Sequence, residues 1–131
     1  IHVLDEIVSI TKKYDNEISF IAISSNDIVN YPEDSPELMK KLAEEKNFNF
    51  PYLYDETQEV AKKYDAACTP DFFVYNSDKQ LVYRGQLDDS RPGNDIPVTG
   101  HDLSKAIDSL INGEEIDKNQ KPSIGCNIKW K

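Results

Sequence analysis

Apolar residues recur at helical spacing from the first position: Ile1, Leu4, Ile7 and Val8 share one face of a helix predicted to run to about Thr11. No Ser, Asp or Asn precedes them to cap its first turn. The pattern is that of a helix cut from something longer, a processed N-terminus being the alternative. Ile18–Ser24 is a β-branched-rich apolar run of strand length, suited to a buried strand, and Ser25-Asn26-Asp27 ends it with turn chemistry. Ser35-Pro36-Glu37 then opens a helix with Ser at the cap, Pro at the first helical position and an acid in the first turn. It is expected to reach Lys46 with Leu38, Leu42 and Ala43 inward. Pro51–Tyr54 reads as a short strand, and Asp55 as the cap of a helix over 56–64 that turns Val60 and Tyr64 inward.

The second half continues the alternation. Cys68-Thr69-Pro70 is a small polar turn followed at once by the apolar strand Phe72–Tyr75. The turn Asn76-Ser77-Asp78-Lys79 and the strand Leu81–Tyr83 complete a predicted hairpin. Residues 85–100 form a long polar loop. His101 or Asp102 opens a last helix that carries Leu103, Ile107 and Leu110 inward and stops before Gly113. Strand–helix–strand units followed by a hairpin imply an α/β fold, with a mixed central sheet and helices on both faces. The expected organisation is a single domain over 1–113, N-terminally incomplete, with a tail over 114–131 packing on it. The tail shows no clear periodicity, and Trp130 is expected to pin it to the body.

Charge and length narrow the function classes. The chain has 131 residues and a net charge of −9, so no basic patch is available to neutralise phosphates, and nucleic acid is not an expected partner. The longest apolar run, Ile18–Ile23, is far too short to cross a bilayer, and no membrane partner is expected. No export signal is visible, which makes cytoplasm the default compartment, although one could have been lost with the N-terminus.

Candidate chemistry is sparse. A metal site from Cys68, Cys126, His2 and His101 would require distant ligands to converge without any close ligand pair, so no metal is expected. Asp88, Asp89, Asp95 and Asp102 lack the spacing of a calcium loop. Solvation is their expected role, with Arg84 and Arg91 balancing charge nearby. No Ser-His-Asp set, phosphate-cradling glycine loop or HExxH motif occurs, and no cofactor is expected. Tyr52, Tyr54, Tyr64, Tyr75 and Tyr83 are read mostly as core.

Several segments together resemble a known family. Ser24-Ser25-Asn26-Asp27, Tyr31-Pro32-Glu33-Asp34-Ser35-Pro36-Glu37, Phe50-Pro51-Tyr52-Leu53 and Asp55-Glu56-Thr57-Gln58-Glu59-Val60-Ala61 carry the likeness in the first half. Cys68-Thr69-Pro70-Asp71-Phe72-Phe73, Tyr83-Arg84-Gly85-Gln86, Asp88-Asp89-Ser90-Arg91-Pro92 and the ending Pro122-Ser123-Ile124-Gly125-Cys126-Asn127-Ile128-Lys129-Trp130-Lys131 carry it in the second. The chain is similar to the peroxiredoxin-like redoxins of bacteria, in the alkyl hydroperoxide reductase/thiol-specific antioxidant family of the thioredoxin superfamily.

The resemblance implies a thioredoxin-like fold whose N-terminal strand and start of the first helix lie upstream of Ile1. It implies a thiol–disulfide oxidoreductase, with peroxide reduction as a further antioxidant activity. A protein thiol or disulfide, or a peroxide, would be the substrate, and a cellular thiol the reductant. It also implies a Cys-X-X-Cys at the N-terminus of the first helix, where the dipole and free N–H groups favour thiolate. No Cys-X-X-Cys occurs in these 131 residues.

In this setting Thr69-Pro70 is the expected substrate-binding turn, its prolyl bond cis and its backbone offered to a partner strand. A trans proline starting an edge strand is the plainer alternative. Cys68 is a possible redox partner, or simply a small side chain fitting the turn. Cys126 is a possible resolving thiol, or an unpaired thiol in a docked tail. A bond between Cys68 and Cys126 would be worth about 4 kcal/mol by chain entropy. A non-catalytic binding domain that holds a partner strand on the Thr69-Pro70 loop is the alternative to an enzyme. The oligomeric state is not legible.

Overall fold

Ten residues at helical spacing, Leu4–Lys13, form helix α1, with Asp5 and Glu6 in its first turn and Lys12 and Lys13 in its last, each placed to complement the helix dipole. The computed structural model describes residues 3–131, so the expectations resting on Ile1 and His2 lie outside the described residues. The chain divides into two groupings of contacts. One holds residues 11–67 and 127–131; the other holds the chain up to Ile10 and Cys68–Cys126. Each takes a part of the segment 114–131 that the sequence reading treated as one tail.

In the first grouping, β1 (Ala22–Ser24) pairs in parallel with β2 (Tyr52–Tyr54), Ile23 opposite Leu53. Between them lie a 3₁₀ turn (Pro32–Asp34) and α2 (Pro36–Glu45). Ser35 caps α2 as its sequence predicts, its side chain accepting from the Leu38 amide at 3.4 Å. Met39 is buried and Leu38 exposed, while Leu42 and Ala43 are half-buried. Helix α3 is shorter than expected, Glu59–Lys63, because Gln58 takes a left-handed conformation (φ 65°) that ends any earlier helical run. Asp55 still caps it, accepting from the Ala61 amide at 3.0 Å and the Val60 amide at 3.4 Å. Ala61, rather than Tyr64, is its buried residue.

The apolar residues of strand 18–24 are less buried than expected. Ile21, Ile23 and Leu53 remain 62, 44 and 49 % exposed. Helix α2 packs on β2, and Tyr52 and Tyr54 line a cavity of about 260 Å³ with Met39, Ala43 and Phe48. The run Ile18–Ile23 has apolar residues at both parities, so alternation could not say which face would be covered.

In the second grouping, β4 (Phe72–Tyr75) and β5 (Leu81–Gly85) form the predicted antiparallel hairpin. Its turn is closed by Asn76, whose Oδ1 accepts from the amides of Asp78 at 3.0 Å and Gln80 at 2.9 Å. Helix α4 (His101–Ile111) packs against β4 and buries Leu103, Ala106 and Ile107. β3 (Cys68–Thr69) pairs with β6 (Cys126–Asn127). Among the described residues the strands make three two-stranded ladders, β1 with β2 parallel and β4 with β5 antiparallel among them.

Tyr83 is buried, and its hydroxyl donates to the Gln86 carbonyl. Burial, with a smaller push from the Asp102 carboxylate, raises its pKa to about 12. Unfolded tyrosine ionises near the ordinary value of 10.0. Above that pH the unfolded chain releases a proton the native state keeps, so stability falls as pH rises towards about 12. Alkaline titration of phenolate absorbance should show a late phase that Tyr83→Phe diminishes; a single step near 10.0 in the folded protein would contradict it.

Candidate functional site

The turn between α3 and β4 sets the site. Cys68 and Thr69 are extended as β3, and the Thr69–Pro70 peptide bond is cis. Thr69 and Pro70 are exposed, whereas Cys68 is half-buried. Asp71, next along the chain, receives Arg84 Nη2 from β5 at 3.4 Å, and the same guanidinium lies 5.0 Å from the centre of the Phe73 ring. One cation thereby ties the residue after the proline to the neighbouring strand.

The segment after Asp117 runs along this side of the hairpin. Gln120 gives its Nε2 to the Val82 carbonyl at 2.9 Å and accepts the Arg84 amide on Oε1 at 3.0 Å. The Lys121 carbonyl takes the Gln86 amide at 2.9 Å, and Ser123 Oγ donates to the Gly85 carbonyl at 2.6 Å. Cys126 then arrives beside the turn, where its carbonyl accepts Thr69 Oγ1 at 3.5 Å. Gly125 lies against the Thr69 carbonyl so closely that an added Cβ would collide with it. The tail therefore brings the backbone of Cys126 to Thr69.

The two thiols differ. Both are free; Cys126 is exposed, and Cys68 is half-buried with Sγ 3.4 Å from the Ser123 carbonyl. Burial and then the Asp71 carboxylate push the Cys68 thiol up, against weaker pulls from Arg84, Arg91 and the Gly125 amide. A thiol held protonated is a poor attacking group at neutral pH. Its geometry fits the small side chain that fills the turn.

The acidic loop does more than solvate. Asp88 is buried, and its carboxylate accepts the amides of Ser90 at 2.9 Å, Thr99 at 2.8 Å and Gly100 at 2.7 Å. Arg91 balances charge at Asp89, joining Gln86 and Lys121 in holding that carboxyl low, and also braces the backbone: its Nη1 bonds the carbonyls of Asp88 at 2.8 Å and Ser90 at 2.7 Å, and its Nη2 reaches Gln86 Oε1. Gln86 Nε2 in turn bridges Asp89 at 2.8 Å and Asp102 at 2.6 Å. The sequence reading missed this role of Asp88; its local signal was the Asp-x-Ser spacing of an Asx turn. Among the described residues no group of three or more His, Cys, Asp or Glu side chains gathers as metal ligands, and no helix is long and apolar enough to cross a membrane.

Trp130 is not the pin of the tail. It is 43 % exposed, with Lys62 Nζ 5.9 Å from its ring, while Ile128 is buried. Within the first grouping the backbone of Lys129 carries the attachment, its carbonyl accepting the Asp27 amide at 2.7 Å and Gln58 Nε2 at 2.9 Å.

The model of the AhpC/TSA family matches residues 6–84. The chain belongs to that family. Among solved structures it is similar to an uncharacterized conserved protein from Geobacillus kaustophilus, at 61 % identity and a TM-score of 0.97 over 99 % of this chain and 69 % of that one. A hypothetical protein from Sinorhizobium meliloti 1021 matches at 44 % identity and a TM-score of 0.97, over 98 % and 71 % of the respective chains. No curated protein matches. The fold is a small mixed α/β one of the thioredoxin-like kind, and the family implies a redoxin function.

Proposed function

We propose that this chain is the substrate-holding part of a thiol–disulfide oxidoreductase. The attacking thiolate is that of a Cys-X-X-Cys, a motif that these 131 residues do not contain. The observation that carries the reading is the placement of exposed Cys126 beside Thr69 in an AhpC/TSA domain. In the reaction the thiolate attacks one sulfur of a substrate disulfide, forms a mixed disulfide and expels the other sulfur as thiolate. A second cysteine thiolate then displaces the reduced substrate, leaving the enzyme as a disulfide for a cellular thiol to reduce. Cys126 is suited to that resolving role by its exposure; Cys68, held protonated, is not suited to attack.

Family membership favours a second substrate class, a peroxide. There the thiolate takes the distal oxygen of the O–O bond, becomes a sulfenic acid and releases water or an alcohol after protonation. The test uses the protein from its native source, with its N-terminal sequence determined. Replacing an upstream cysteine by Ser should abolish turnover of a disulfide or peroxide, and Cys126→Ser should leave the first, single-turnover burst while blocking the next cycle. Unchanged turnover in the upstream variant would refute the enzymatic reading. Retained partner binding without any turnover would favour the binding-domain alternative.

A further inference from the structure

The edge that would hold a partner strand is already taken. β3 pairs with β6, Gly125 lies on the Thr69 carbonyl, and Cys68 Sγ is engaged by the Ser123 carbonyl on one side and the Gly125 amide on the other. We propose that residues 121–126 form a strap that occupies the Thr69 edge in place of an extended thiol or disulfide peptide, latched on the Cys68 thiol. The inference rests on the reading that Thr69-Pro70 is the substrate-binding turn.

The hold on the strap is of a kind that opens. Lys121, Pro122, Gly125 and Cys126 are exposed, and Ile124 is 69 % exposed. Little apolar surface is therefore buried, and the strap is kept by hydrogen bonds, each worth about 0.5–1.5 kcal/mol net. The bond of Ser123 Oγ to the carbonyl of buried Gly85 and the contact of Cys68 with Ser123 are part-buried, and the Lys121 carbonyl accepts the amide of buried Gln86 at 2.9 Å. Upstream, Gln120 is anchored at both ends of its amide to β5. Downstream, Ile128 is buried and its amide bonds the Ala67 carbonyl at 3.1 Å, so the segment lifts from the turn as a loop held at both ends.

One edge accepts one strand. A peptide that binds only the open form shows an affinity reduced by the fraction of molecules that are open. Gly125 is the sensitive position, because a side chain there meets the Thr69 backbone. Ser123→Ala removes a second tie without disturbing the turn.

The experiment compares the wild-type chain with the Ser123→Ala/Gly125→Val variant. The probe is a fluorophore-labelled Val/Thr-rich peptide carrying one glutathionylated cysteine. The expected result is peptide binding about 10-fold or more tighter in the variant, as an open fraction raised from a tenth or less would give. Faster alkylation of Cys68 should accompany it. Hydrogen exchange on the wild type should show the peptide protecting the amide of Thr69 while exposing those of residues 123–126. Equal affinity in both proteins, with Thr69 protected, would overturn the strap and leave the substrate-binding reading standing. Failure of both to bind, even where Cys68 alkylates faster in the variant, would overturn that reading and the strap with it.

Discussion

Asp88→Ala is expected to destabilise the chain by about 3–5 kcal/mol, since hydrogen bonds to a charged acceptor contribute roughly 1.5–3 kcal/mol each and the buried amides of Ser90 and Gly100 would be left unpaired. Three amides, from Ser90, Thr99 and Gly100, converge on this one carboxylate. Two of them belong to the residues just before α4, so the carboxylate joins the start of the acidic loop to the start of the helix that buries Leu103, Ala106 and Ile107. Water can replace part of the loss at Thr99, which is exposed, and this is why the expectation lies below the sum of three full bonds. The melting temperature should fall by roughly 10–20 °C. Asp88→Asn keeps one acceptor oxygen and should cost about half as much. Equilibrium denaturation of both variants checks the order; an alanine variant within 1 kcal/mol of wild type would mean that the loop is held by other contacts.

Asp55→Ala is the next largest, at about 2–4 kcal/mol, by the same hydrogen-bond reckoning. Its buried carboxylate accepts Ser25 Oγ at 2.7 Å and the amides of Ala61 and Val60, so it both caps α3 and ties that helix to the end of β1. The charge state matters. Burial pushes the Asp55 carboxyl up, but the Ser25 hydroxyl and the amides of Ala61, Val60 and Gln58 outweigh it and hold its pKa below the ordinary 3.8. Asp27, through Asn30 first, and Asp89, through Gln86 and then Lys121, are held low as well. For a carboxylate with a depressed native pKa, the unfolded chain binds the proton first as pH falls. The stabilisation is therefore complete above the ordinary carboxylate value and is lost as pH drops through the lower native values. Denaturation followed from neutral pH into acid should show falling stability on this limb, and Asp55→Asn should flatten it. A limb of unchanged slope in that variant would remove Asp55 from the account.

The candidate turn was legible in part. Cys68-Thr69-Pro70 ahead of an apolar strand drew attention to it because the residue types of so short a motif restrict what it can do, whereas Gly125-Cys126-Asn127 left open whether the tail would meet it. The environment of Cys68 was not legible. Asp71 adjoins it in sequence, but the Ser123 carbonyl and the Gly125 amide lie more than fifty residues away. The same holds for Asp88. Its bond to Ser90 spans two residues and is readable as a turn, whereas Thr99 and Gly100 are brought back by the whole loop.

Where one turn of chain contains both donor and acceptor, the sequence alone was sufficient. The Ser35 cap with Pro36 behind it, the Asn76 turn between β4 and β5, and the capping of α3 by Asp55 all follow from bonds spanning six residues or fewer. The segments that identify the family belong with them. Tertiary structure decided the rest: that Met39 rather than Leu38 turns inward, that Ile23 and Leu53 stay exposed, and that Ile128 rather than Trp130 is buried. It also decided that the Cys68 thiol is held protonated. Each of these depends on which surface meets a given face, and apolar character or titratability in a sequence carries no record of that neighbour.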